Sequence, residues 1–90
     1  GLTALCIIMD IRHPIKEDDE SLIDWCESKD LPMILLLNKA DKLSKSQIAQ
    51  TVLNATKELR KLSTEHFIIP VSATKKTGIN LVLEKINEMN

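Results

Sequence analysis

The sequence predicts an α/β domain built in three layers around a parallel sheet. Three observations predict it. Short apolar runs at residues 4–11, 33–37 and 67–71 alternate with longer segments of helical periodicity. Each apolar run stops abruptly in a polar loop, as strands do at the ligand-bearing end of an open parallel sheet. Strands separated by helix-length segments pair in parallel through crossover connections.

The first run is rich in β-branched residues and short, so it is expected as a strand buried on both faces. Arg12, His13 and Pro14 end it, because proline cannot continue a central ladder. The polar run 16–20 suits a helix start, and a helix to about Ser28 would bury Leu22, Ile23, Trp25 and Cys26. The second strand, 33–37, stops at Asn38. Ser44 and Gln47 then have capping-box spacing. Ile48, Val52, Ala55, Leu59 and Leu62 follow as one amphipathic stripe. Pro70 within the third run points to an edge strand or a strand end. Ile79, Val82, Leu83 and Ile86 recur at helical spacing in a last helix.

Composition narrows the function. A net charge of −1 excludes a global basic field that would draw the chain to nucleic acid or anionic lipid. The longest apolar stretch, 4–9, is too short to span a bilayer. Cys6 and Cys26 lack metal-ligand spacing and are expected as two reduced, buried thiols of a cytoplasmic protein. The start, Gly-Leu-Thr-Ala, has neither an initiator Met nor a basic leader, so the stretch is expected to be an excerpt. Three strands give a thin core, and an apolar first strand with an unpaired edge would invite self-association.

The loops carry the chemistry. Asn38-Lys39-Ala40-Asp41 fits the N-K-x-D pattern that reads guanine. Guanine presents two adjacent donors, the ring N1–H and the exocyclic amine, and the acceptor-only carboxylate of Asp41 can take both. Adenine would leave that carboxylate unpaired, a costly mismatch. The Lys39 stem can lie along the purine face, and Asn38 can tie neighbouring loops together. Val71, Ser72 and Ala73 follow at the next strand end, about 5 Å away in a parallel sheet. There the Ala73 N–H can donate to guanine O6, Ser72 can brace the turn through local backbone, and Lys75 can cover the base. In the first loop Arg12 could pair with Asp10 or with a partner, and His13 before proline is expected as a turn residue rather than a base. Read without these loops, the pattern also fits a flavodoxin-like or receiver-like module that binds protein partners.

The phosphate half of such a site is missing. With only Gly1 and Gly78, the sequence holds no G-x-x-x-x-G-K-[ST] and no D-x-x-G. These 90 residues alone are therefore not expected to hydrolyse GTP.

Asp10-Ile11-Arg12-His13-Pro14, Asn38-Lys39-Ala40-Asp41-Lys42-Leu43 and Val71-Ser72-Ala73 with Lys75, Lys76 and Gly78 together resemble the EngB family of bacterial ribosome-assembly GTPases. The resemblance spans nearly the whole chain but only about half of a family member. It implies the last three strands and helices of a Ras-like P-loop GTPase fold, with residues 1–90 as its C-terminal, base-recognition half. It implies binding of GTP and GDP through Asn38, Lys39, Ala40, Asp41, Val71, Ser72 and Ala73, with Mg²⁺ held by the other half. It also implies action in assembly of the large ribosomal subunit and in cell division and septation.

Overall fold

The computed structural model describes residues 4–72, 80, 82–84 and 87. Strands β1 (Leu5–Asp10), β2 (Met33–Asn38) and β3 (His66–Pro70) form one sheet in the order β1-β2-β3. Both pairings are parallel, running from Leu5↔Met33 to Asp10↔Asn38 and from Met33↔His66 to Leu37↔Pro70. Two helices connect them, α1 (Glu17–Ser28) and α2 (Lys45–Glu58). Both pack on one face, where Ile7, Met9, Met33, Leu35 and Leu37 meet Ile23, Cys26 and Leu59. On the opposite face Ile34, Ile69 and Val71 are buried with Leu36, Phe67 and Val82 against them. Val82 belongs to the helical residues near the end of the chain, so the second face is covered over β2 and β3 and the three-layer expectation holds there.

The α2 stripe is as expected. Ala55 and Leu59 are buried, and Ile48, Val52 and Leu62 pack against the core. Ser44 caps the helix, its Oγ accepting from the Gln47 N–H while the Gln47 side chain accepts from the Ser44 N–H. Val71 still donates to the Leu37 carbonyl, so the missing N–H of Pro70 falls at the alternate position, on the outer side of an edge strand, and the β2–β3 ladder loses no donor.

Three expectations need correction. First, β1 is buried on one face only, because Ile8 is 66 % exposed and Cys6 is exposed. Consequently just one of the two thiols, Cys26, is buried, and burial pushes its pKa up. Third, Trp25 is 47 % exposed and Leu22 is exposed. The buried face of α1 is set by Ile23 and Cys26. At about 100° per residue, Trp25 falls about 200° round from Ile23 and so cannot share its face. The exposed apolar residues of β1 and of α1 belong to the same flank of the sheet, since α1 packs on β1. Of the last helix, Ile79 and Ile86 lie outside the described residues.

Candidate functional site

The three strands deliver three loops to one end of the sheet, and main-chain hydrogen bonds carry their alignment past the strands. The Ile11 N–H donates to the Asn38 carbonyl at 2.9 Å. The Val71 N–H donates to the Leu37 carbonyl at 2.9 Å, and the Ala40 N–H returns a bond to the Val71 carbonyl at 3.0 Å. Asn38 therefore ties the loops together through its backbone carbonyl. Immediately after it the chain turns sharply. Lys39 has φ 64° and ψ 36°, a left-handed conformation, and Ala40–Lys42 forms a 3₁₀ turn. Ala40 is buried, and its small side chain suits a backbone that passes this close to β3.

Asp41 and Ser72 are brought together. The Ser72 Oγ donates to Asp41 Oδ1 at 2.9 Å, and Ser72 is fully buried. Ser72 thus braces the carboxylate itself. A hydroxyl donor that holds one carboxylate oxygen fixes the rotamer of the group, which is half of what a bidentate acceptor needs.

A second polar group adjoins the first. Asp10, at the end of β1, accepts from the Arg12 N–H at 2.9 Å and from its Nε at 3.1 Å through Oδ1. Its Oδ2 accepts from the Arg12 guanidinium at 2.8 Å and lies 3.9 Å from Lys39 Nζ. These hydrogen bonds from Arg12 hold the Asp10 carboxyl far below the usual carboxylate range. Asp10 in turn raises the pKa of Arg12, with a smaller contribution from Asp41. The pairing of Arg12 with Asp10 was legible from the D-x-R spacing. Its link to Lys39 was missed, although the strand register that puts Asp10 beside Asn38 would have pointed to it.

Of the expected site residues, Asn38, Lys39, Ala40, Asp41, Val71 and Ser72 gather at this end of the sheet. Ala73 and Lys75 lie outside the described residues. His13 is exposed, its N–H donating to the Asp10 carbonyl in a turn. Ile15 in the same loop has φ 54°, an unusual conformation for a β-branched residue, and its N–H contacts Met9 Sδ at 3.3 Å. Among the described residues no three His, Cys, Asp or Glu side chains gather, and Asp10 and Asp41 accept hydrogen bonds from Arg12 and Ser72. No helix among the described residues is long and apolar enough to cross a membrane.

An N-K-x-D loop at the carboxyl end of a parallel sheet is the placement expected of a nucleotide-binding α/β domain, and comparison with known proteins agrees. The family model of the elongation factor Tu GTP-binding domain matches residues 2–90, and the chain belongs to that family of GTP-binding domains. The match sets aside the flavodoxin-like alternative. Similar curated proteins include the "probable GTP-binding protein EngB" of Histophilus somni, 40 % identical over 87 residues, which covers 97 % of this chain and 43 % of that protein. The protein of the same description from Haemophilus influenzae is 38 % identical over 86 residues, covering 96 % and 42 %. The chain therefore spans about two fifths of the length of these relatives. Among solved structures, translation elongation factor SelB from Methanococcus maripaludis superposes with TM-score 0.85 in its apo form. Its complex with the GTP analogue GppNHp superposes with TM-score 0.86. Sequence identities are 20 % and 19 %, and the match covers 96 % and 97 % of this chain but 20 % of SelB. These structures share the fold.

Proposed function

We propose that this chain is the guanine-recognition half of an EngB-type GTPase. The observation that carries the reading is the Asp41 carboxylate, presented after β2 and gripped by Ser72 from the loop after β3. Asn38, Lys39, Ala40, Asp41, Val71, Ser72 and Ala73 are the base contacts. The phosphate grip and the Mg²⁺ ligands come from sequence outside these 90 residues. The open flank supports that division. β1 is an edge strand with Ile8 exposed, and α1 beside it leaves Leu22 and Trp25 in solvent. A further strand and its helices would cover all three. By this reading the 90 residues alone bind guanine weakly, hydrolyse no GTP and self-associate through the uncovered flank. The complete protein is a cytoplasmic GTPase that assists assembly of the large ribosomal subunit and is needed for cell division and septation.

Asp41→Asn in the complete protein tests the base contact. The amide can donate to the O2 of xanthine and loses its match to guanine, so preference should shift from GDP to XDP. Unchanged GDP affinity would remove Asp41 from the site. The ribosomal role is checked by sedimentation. Co-migration with large subunits that depends on GTP supports it, and indifference to the nucleotide counts against it.

A further inference from the structure

We infer that Asp10 is a positioning residue for Lys39, holding the lysine ammonium beside β1 so that its stem covers the face of the bound purine. The inference rests on the guanine-recognition reading of the loop after β2.

Lys39 is where such help is needed. Its side chain is 54 % exposed, and its four-carbon stem has many rotamers to lose when a ligand binds. A base that stacks on an unrestrained stem must order it at each encounter. Asp10 narrows the choice beforehand, its Oδ2 lying 3.9 Å from Lys39 Nζ.

The anchor is itself fixed. Three hydrogen bonds from Arg12, one of them from its backbone N–H, hold both carboxylate oxygens of Asp10. Asp10 is also the register partner of Asn38, so the anchor and the lysine stand on adjacent strand ends. Along the rim the charges alternate, positive at Arg12, negative at Asp10 and positive at Lys39. An exposed pair at this separation adds little to folding stability. Its consequence falls on ligand binding, because the ammonium is drawn aside while the apolar stem stays available to the ring.

The test uses the complete protein and measures GDP and XDP affinities of Asp10→Asn, Lys39→Met and the double variant. The same Asp10→Asn change is then made in the Asp41→Asn background. Loss of the Asp10 charge should weaken GDP binding about two- to fivefold. It should weaken XDP binding by a similar factor in the Asp41→Asn protein, since a stem covers any purine, and leave the guanine-over-xanthine ratio of the parent unchanged. In the Lys39→Met background, Asp10→Asn should have no further effect. An Asp10→Asn effect that persists in full without the lysine overturns the inference. So does an altered guanine-over-xanthine ratio, or unchanged GDP affinity. Failure of the underlying base reading is distinguishable, because Asp41→Asn alone would then leave nucleotide preference untouched.

Discussion

At the residue scale, the site depends on a few side chains whose positions are imposed by others. Ser72→Ala removes the buried donor on Asp41. A hydrogen bond to a charged group contributes roughly 1.5–3 kcal/mol, so guanine nucleotide affinity should fall by about tenfold or more in a binding titration, with a parallel loss of thermal stability. Lys39→Gly should separate stability from binding. The left-handed conformation costs a residue with a Cβ roughly 1–2 kcal/mol, and glycine escapes most of it. The variant should therefore melt at or above the parent temperature while binding nucleotide more weakly, and a lower melting temperature would contradict the strain argument. Much of this scale was legible beforehand. The place of Asp41, in the turn after β2, followed from the end of an apolar run. That Ser72 grips Asp41 was not legible. The bond spans 31 positions and depends on how two loops turn after leaving the sheet, which spacing along the chain does not encode.

At the scale of elements, one device starts α2 and another ties α1 to the turn before β3. The Ser44 capping box was readable as a four-residue pattern, because both of its bonds are local. Ser44→Ala should cost about 1 kcal/mol in denaturant unfolding. At the opposite end of the sheet from the site, the end of α1 is latched to the turn before β3. Glu27 accepts from the Ser63 N–H at 2.9 Å, the Ser63 Oγ at 2.6 Å and the Thr64 N–H at 3.1 Å. No sequence pattern announces this latch. Bonds from Ser63, and then from Thr64, pull the Glu27 pKa down from 4.5 to about 2. A carboxylate with a depressed folded-state pKa stabilises the fold above its unfolded value and stops doing so as pH falls through the folded value. The melting temperature should therefore drop between about pH 4.5 and about pH 2. Glu27→Gln should flatten that part of the profile while leaving the contribution of Asp10, which is lowered in the same direction. The faces of α1 were less well read. Leu22, Ile23, Trp25 and Cys26 spread over an arc of about 160°, wider than the face buried on the sheet, so periodicity does not choose which side of the arc is covered.

At the scale of the whole molecule, the two flanks of the sheet differ. The β3 flank ends in Pro70, which blunts it as a template for another strand. The β1 flank has no such device and carries Ile8 and Cys6 exposed on the face that the described helices do not cover. Light scattering of the isolated 90 residues should show mass rising with concentration, and Ile8→Lys should suppress the rise. A monomer that melts cooperatively at all concentrations would remove the case for a missing neighbour. The expectation that β1 is buried on both faces is informative in this respect. Its composition is that of an interior strand, whereas its surroundings here are those of an edge. Parallel pairing, strand order and the α2 core were all legible because apolar runs and their spacing set them. The open edge of β1 was anticipated, but the exposure of its Ile8 face depends on neighbours that the run itself does not name.

The main-chain bonds that continue beyond the strand ends have a further consequence. Leu37, Ala40 and Val71 fix the spacing of the loops after β2 and β3 using only amides and carbonyls, groups that every residue except proline supplies. The frame of the pocket is thus written in the backbone and its vocabulary in the side chains. Exchanging one carboxylate for an amide should then edit which base is read without redrawing the pocket. A change of ligand preference at this sheet end lies a single codon away, while loss of the frame would require breaking the sheet.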